Sequence, residues 1–322
     1  MSNLRDRLKR IRGTKKSEGN LKASLVTLDG WDSCGFNVLK RQINVLSPLK
    51  NIKNLPQNLS IIIPDLAANK LPVKEDFLFF DLETTGLSGG AGTVAFLAAF
   101  GRVFAGKLQI TQYLLLDYPG ENDFLEHVLT ELKTENAVIV SYNGKCFDSQ
   151  IIKTRCLMNR IKPPIYLHAD LLHPARRLWK SIIQDCSQSS VEKNILGIDR
   201  IDDIPGSLAP EIWFEFLKTG ATERLMGICD HNLTDIKGLA GILTAMISIA
   251  GDLFKTDKFN YDIERIARSV YIYAYRQMVI GNYKKPLELV KLALNALEPD
   301  TLWYDKLTRR KLRLERRISS IR

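Results

Sequence analysis

A chain of 322 residues, 45% apolar and 25% charged, can bury a full core without covalent staples and is long enough for about two domains. Five scattered cysteines, Cys34, Cys146, Cys156, Cys186 and Cys229, contain no CxxC pair, which excludes a disulfide framework and a zinc site and points to a reduced, cytoplasmic protein. The charged start lacks the apolar stretch of a signal peptide, and the longest apolar run, residues 238–250, is too short to span a bilayer, so no membrane is expected.

The formal net charge of +10 is concentrated at the two ends. Residues 1–22 carry eight Lys/Arg against Asp6 and Glu18, and residues 301–322 carry eight against Asp305 and Glu315, which leaves a slightly acidic body. Basic ends on such a body point to a polyanion partner, nucleic acid above all. A pair of solvated helices that aid solubility would give the same count.

In chain order, residues 1–22 read as a short basic helix, with Leu4, Leu8 and Ile11 at helical spacing. A lead-in follows to residue 75, with strand patterns at 23–28 and 36–43, an apolar run at 59–63, and breaks at Pro56, Pro64 and Pro72. It suggests no function. Residues 76–252 then alternate: strands at 77–82, 93–104 and 108–116, a helix at 122–132, a strand at 137–142, a helix at 147–158 and a strand at 165–169. A capping box, Ser189-Ser190-Val191-Glu192, opens another helix, and a long helix covers 223–250. Three antiparallel strands followed by alternating helices and strands define an α/β fold, a mixed sheet flanked by helices. Residues 255–322 read as helical throughout, with a basic tail.

The strongest local signal is Phe79-Phe80-Asp81-Leu82-Glu83-Thr84-Thr85-Gly86. Asp81 and Glu83 are two apart at the end of an apolar strand, so both side chains lie on one face. Two adjacent carboxylates repel each other unless a cation sits between them, and their hard oxygens suit Mg²⁺ or Mn²⁺. A strand-end pair at a turn is the ordinary reading of a bare D-x-E. The second signal, Asn143-Gly144-Lys145-Cys146-Phe147-Asp148, joins a strand to a helix. Asp148 is either a metal ligand or an acid favoured by the helix dipole. The third is Asp230-His231-Asn232-Leu233-Thr234-Asp235, where His231 and Asp235 share a helix face and form either a functional pair or a surface hydrogen bond.

Taken together and in this order, the three motifs resemble the DEDD (DnaQ-like) exonucleases of the ribonuclease H-like fold. Gly89-Gly90-Ala91-Gly92-Thr93, the Asn143–Asp148 motif and Asp170-Leu171-Leu172-His173-Pro174-Ala175-Arg176-Arg177 resemble more narrowly the bacterial YprB-like proteins. That group also joins a ribonuclease H-like domain to tetratricopeptide-like helices, and Gly281-Asn282-Tyr283 with Leu287, Val290, Ala293 and Leu294 resembles one degenerate repeat. The resemblance implies two-metal hydrolysis of a phosphodiester, with two Mg²⁺ or Mn²⁺ ions held by Asp81, Glu83, Asp148 and Asp235 and roughly 3.5–4 Å apart. It implies 3′→5′ polarity on single-stranded DNA or RNA ends. The alternatives are a structure-selective endonuclease on the same fold and a catalytically silent nucleic-acid or protein-binding module. The C-terminal helices offer a surface for a protein partner.

One departure concerns His231. In His-type enzymes of this class the His precedes the last Asp by five positions; in Tyr-type enzymes a Tyr precedes it by four. Here a His stands at the Tyr spacing. His231, neutral near pH 7, is expected to accept the proton of the attacking water. Asp170 is expected to cap a helix, and His168 and His173 to be structural. The loop 88–92 is read as a turn beside the metal site; Tyr271, Tyr273 and Tyr275 cannot all share one helical face, so two are read as core, with a base-stacking platform as the alternative.

Overall fold

The computed structural model describes residues 27–66, 72–86, 90–201, 203–255 and 258–321. The basic helix expected over 1–22 and nearly all of the strand pattern at 23–28 lie outside the described residues. Seven strands make one mixed sheet: β1 (Asp32–Gly35), β2 (Val38–Leu46), β3 (Phe77–Thr84), β4 (Ala95–Phe104), β5 (Lys107–Leu115), β6 (Val138–Ser141) and β7 (Leu167–Asp170). Their order is β1-β2-β5-β4-β3-β6-β7. β3, β4 and β5 are the expected antiparallel trio; β6 runs parallel to β3, and β7 parallel to β6.

The lead-in is part of this sheet. β1 and β2 form a hairpin, and β2 pairs along its whole length with β5, from Val38 opposite Leu115 to Leu46 opposite Lys107. The apolar run at 59–63 forms a single helical turn, α1 (Leu59–Ile62).

The apolar run of β3 lets both faces of the sheet be covered. Phe77 and Phe79 enter one core; Leu78, Phe80 and Leu82 enter the other. Each fully buried Phe contributes roughly 1.5–3 kcal/mol. Helices α2 (Glu121–Leu132), α3 (Asp148–Met158) and α6 (Ala209–Thr219) cover the second face through Phe124, Ile151 and Trp213. On the first face lie α1, α4 (Leu172–Trp179) and the long α7 (Glu223–Gly251), through Ile61, Trp179 and Ile236. Asp81 and Glu83 continue the phase of Phe77 and Phe79, so they face α7.

Two expectations need correction. The capping box at 189–192 does not form: Ser187 caps the short helix α5 (Gln188–Val191) by accepting from the Ser190 N–H at 3.3 Å. Glu192 instead turns inward, where it is 1% exposed and bound by Arg200. The apolar run 238–250 is only part of α7, which by length and composition alone could cross a bilayer. In the fold 67% of its most apolar window is buried, the behaviour of a core helix.

The C-terminal helical region comprises α8 (Ile263–Val279), α9 (Lys284–Ala296) and α10 (Leu302–Ser319). Asp262 and Thr301 cap α8 and α10 by accepting from the Arg265 and Tyr304 N–H groups. Val290, Leu307 and Leu314 are fully buried in the same core as Ile236 of α7. The buried Arg310 guanidinium lies 4.3 Å from the Tyr271 ring and 5.1 Å from the Tyr275 ring, which uses two of the three tyrosines internally.

Candidate active site

β3 presents Asp81 and Glu83 at its C-terminal end, where a bulge after Glu83 breaks the pairing with β4. Thr84 and Thr85 secure the turn that follows. The Thr84 hydroxyl donates to the Gly86 carbonyl, and the Thr85 hydroxyl accepts from the Val94 N–H. Of the loop 88–92, residues 88 and 89 lie outside the described residues; the Ala91 carbonyl accepts from Arg155 at 2.9 Å.

Asp148 is the first residue of α3 and is buried. Its approach is held by Asp170 at the end of β7, whose carboxylate accepts from the N–H groups of Asn143 (2.8 Å), Lys145 (3.0 Å) and Leu172 (3.1 Å). The N-cap position of α4 is Leu171, which has no side-chain cap; Asp170, one residue earlier, accepts from the first helical N–H instead and fixes the loop that aims Asp148. A Cβ on Gly144 would come within 2.4 Å of Ser141 Oγ and 2.8 Å of Asp148 Oδ2. Gly144→Ala is expected to shift the loop and Asp148 with it, lowering stability by roughly 1–3 kcal/mol and metal affinity along with it. Chemical denaturation and Mn²⁺ titration of that variant check this; parental values in both would show that the loop yields without cost. His168 is structural, as expected: it hydrogen-bonds Ser141 Oγ at 2.7 Å, and burial lowers its pKa to about 4.

α7 supplies the other side. His231 and Asp235 meet across one turn, Nε2 to Oδ2, at 3.2 Å. His231 Nδ1 lies 2.7 Å from Asp203 Oδ1, so the imidazole is clamped between two acids. Arg200 binds Asp235 at 2.6 Å, Glu192 at 2.7 Å and Asp203 at 3.1 Å. A Cβ on Gly238 would overlap Glu192 Oε1 at 1.7 Å, so the glycine on α7 makes room for this buried pair. Asp230 points elsewhere and pairs with Arg41 at 2.9 Å.

A chain of buried amides reaches Asp81. Arg41 donates to Gln112 Oε1 at 2.5 Å, Gln112 Nε2 donates to Asn232 Oδ1 at 2.8 Å, and Asn232 Nδ2 donates to Asp81 Oδ2 at 2.7 Å. Gln112 and Asn232 are both fully buried, and each amide is oriented by its neighbour.

One ligand atom each from Glu83, His231 and Asp235 lies within 4.8 Å of the other two. Asp81 and Asp148 stand outside that trio but within its field. Burial, then the charge of Asp235, pushes Asp81 up to about 7. Burial, then Asp81, holds Glu83 and Asp148 well above the usual carboxylate range. Asp235 goes the other way: burial opposes its charge, but His231 and then Arg200 hold it low. For His231, burial opposes the imidazolium, yet Asp235 and then Asp203 raise it to about 10. Without metal, these two acids favour the imidazolium over the neutral imidazole expected near pH 7. Buried carboxylates crowded together at mutual electrostatic cost are a donor set that fits a divalent cation of oxygen preference.

A mixed sheet carrying two acids at the end of an interior strand, a third on the helix after the neighbouring parallel strand and a fourth on a long helix across the face defines the class. The chain belongs to the RNase_H superfamily, whose sequence profile matches residues 78–247. It is 40% identical over 176 residues to "Uncharacterized protein YprB" of Bacillus subtilis (strain 168), a match that takes in 54% of this chain and 42% of that relative. Its fold is also similar to the family B DNA polymerase from the hyperthermophilic archaeon Pyrobaculum calidifontis, with a TM-score of 0.44 and 11% identity over 76% of this chain and 46% of the polymerase.

Proposed function

We propose that the protein is a metal-dependent nuclease of the DEDD type, a 3′→5′ exonuclease on single-stranded ends of DNA or RNA. The observation that carries this reading is the convergence of Asp81, Glu83, Asp148 and Asp235, three of them with raised pKa values, on one end of a ribonuclease H-like sheet. These four would hold two Mg²⁺ or Mn²⁺ ions, which when bound stabilise charge on the scissile phosphate and acidify water.

The chain's own groups do the rest. Asp170 holds the 143–145 loop, so Asp148 is aimed before substrate arrives. Asn232 fixes one oxygen of Asp81 and leaves the other for a ligand. Asp203 accepts from His231 Nδ1–H and turns Nε2 toward Asp235 and Glu83. Because Asp235 is what chiefly holds the Nε2 proton, a metal sharing that carboxylate's charge would let His231 release the proton to solvent, and Nε2 would then be free to accept the proton of the attacking water.

The test is incubation with end-labelled single-stranded DNA and RNA in Mn²⁺ or EDTA. A metal-dependent ladder shortening from the 3′ end, with a closed single-stranded circle left intact, is the expected result. Cleavage of the circle would replace the exonuclease by an endonuclease, and no metal-dependent cleavage of any strand would end the nuclease reading.

Metal should also stabilise the fold in a pH-dependent way. The folded value for Asp81, about 7, lies above its ordinary value of 3.8, so the folded state keeps a proton that the unfolded chain gives up. Without metal, stability therefore falls as pH rises from about 4 through 7. Metal must displace that proton, so Mn²⁺ should raise Tm more at pH 8 than at pH 5.5. Equal rises at the two pH values, by scanning fluorimetry against EDTA, would contradict the assignment of Asp81.

A further inference from the structure

A cavity of about 740 Å³ lies between α4 and α8, bordered by α1, away from the carboxylates. Five arginines line it: Arg176 and Arg177 from α4, and Arg265, Arg268 and Arg276 from α8. The three on α8 are three and eight positions apart, which places them along one helix face. Among the described residues no Asp or Glu lines the cavity. Three of the arginines have internal work. Arg177 donates to the Ile61 and Ile62 carbonyls at 3.3 and 3.1 Å, Arg265 pairs with Asp262 at 2.9 Å, and Arg268 lies 5.8 Å from the Trp303 ring. Arg176 and Arg276 take no hydrogen bond or ion pair among the described residues.

A solvated basic face would spread such charges outward. Here guanidinium groups from two different elements face one concavity, where they repel each other. Burial, and then the charge of Arg268, lowers the pKa of Arg177. An anion with several negative groups removes this repulsion, and planar guanidiniums match phosphate oxygens two at a time. Tyr273 lines the same cavity and is an aromatic of the kind on which bases stack. The volume suits a few linked nucleotides and is too small for a duplex.

One loop links the cavity to the acidic centre. α4 starts two residues after Asp170, which holds the loop leading to Asp148, and Arg176 lies about 6 Å along the helix from its first residue, Leu172. Lys145 of that loop pairs at 2.6 Å with Asp65, between Pro64 and Leu66, which border the cavity.

We infer that this arginine cleft is a second nucleic-acid site, which grips the phosphodiester backbone of a single strand beyond the nucleotides at the acidic centre. The inference deepens the nuclease reading and rests on it. The C-terminal helices are then part of the substrate-binding surface, because α8 supplies three of the five cations.

The test uses the full chain with a fluorescein-labelled single-stranded oligonucleotide, read by anisotropy in EDTA across a salt series. The double variant Arg176→Gln/Arg276→Gln removes the two arginines without internal partners and so spares the fold. Its affinity should fall at least about tenfold, and the slope of log K against log salt should flatten by about 1.4, the change for two phosphate contacts on a single strand. The matched control Lys107→Gln/Lys218→Gln, at exposed positions elsewhere, should change affinity much less. Parental affinity and slope in the arginine variant, equal losses in the lysine control, or a blunt duplex that binds as tightly as the single strand would each overturn the cleft. Cleavage in Mn²⁺ is scored separately. A parent that cuts while the arginine variant binds like it sinks the cleft alone. A parent that binds through the arginines but never cuts sinks the nuclease reading alone.

Discussion

Asp81→Asn is expected to lower metal-dependent cleavage by at least about a thousandfold while the fold persists. The amide has the shape of the carboxylate, and its oxygen can still accept from Asn232 Nδ2, so the buried contact at 2.7 Å survives. What is lost is one negative charge where two cations would be held, and charge stabilisation at such centres is worth several kcal/mol in the transition state. Stability should move the opposite way. Burial and the Asp235 charge push Asp81 to about 7, so at pH 8 without metal the folded protein carries an acid ionised against its surroundings. Removing that charge should stabilise the metal-free protein by roughly 1–3 kcal/mol at pH 8, and by less at pH 5.5, where the parental acid already holds its proton. Cleavage at the parental rate by purified Asp81→Asn would remove Asp81 from the metal set. Unchanged cleavage with lowered stability would reduce it to a structural acid.

Arg200→Ala is expected to produce the largest loss of stability, about 3–5 kcal/mol, because it breaks a buried pair from one side. Arg200 is 10% exposed and Glu192 is 1% exposed, so the carboxylate, left with the Gln188 amide at 2.9 Å and no cation, cannot turn to water. The same truncation frees Asp203 and Asp235, so the imidazole clamp loosens as the core weakens. Arg200→Lys should recover only part of the loss, since one ammonium cannot serve Glu192, Asp203 and Asp235 in the planar fork that guanidinium provides. Urea denaturation gives the comparison. A loss below about 1 kcal/mol for Arg200→Ala would mean that the three acids find other partners.

The acidic constellation was readable because each part has a local cause. Asp81 and Glu83 follow from the period of a strand, His231 and Asp235 from the turn of a helix, and Asp148 from a strand-to-helix loop. The superfamily was readable for the same reason. Arg200, Asp203 and Glu192 were not, because their partners come from distant segments: Asp203 reaches His231 across 28 positions, and Arg200 reaches Asp235 across 35. No motif marks them, and Glu192 was misread because Ser189-x-x-Glu192 imitates a cap. Gln112 left a signal that could have been used. It has the inward phase of Leu108 and Ile110 on β5, and a lone amide in that phase needs a buried polar partner. The cleft arginines were visible as charge but not as a site, since α4 and α8 are brought together only by the tertiary fold.

The β1–β2 hairpin changes where the working unit begins. The superfamily profile starts at residue 78, inside β3, and a truncation designed on it would discard Arg41. That cut would strip β5 of its neighbour and leave a long bare strand edge, the template on which other chains assemble. It would also remove the first donor in the relay of buried amides that ends on Asp81, leaving the Gln112 amide oxygen without its partner. The smallest portable piece of this protein therefore starts ahead of Asp32, and a fragment that begins at Phe77 should be both sticky and poorly set at its own acidic centre.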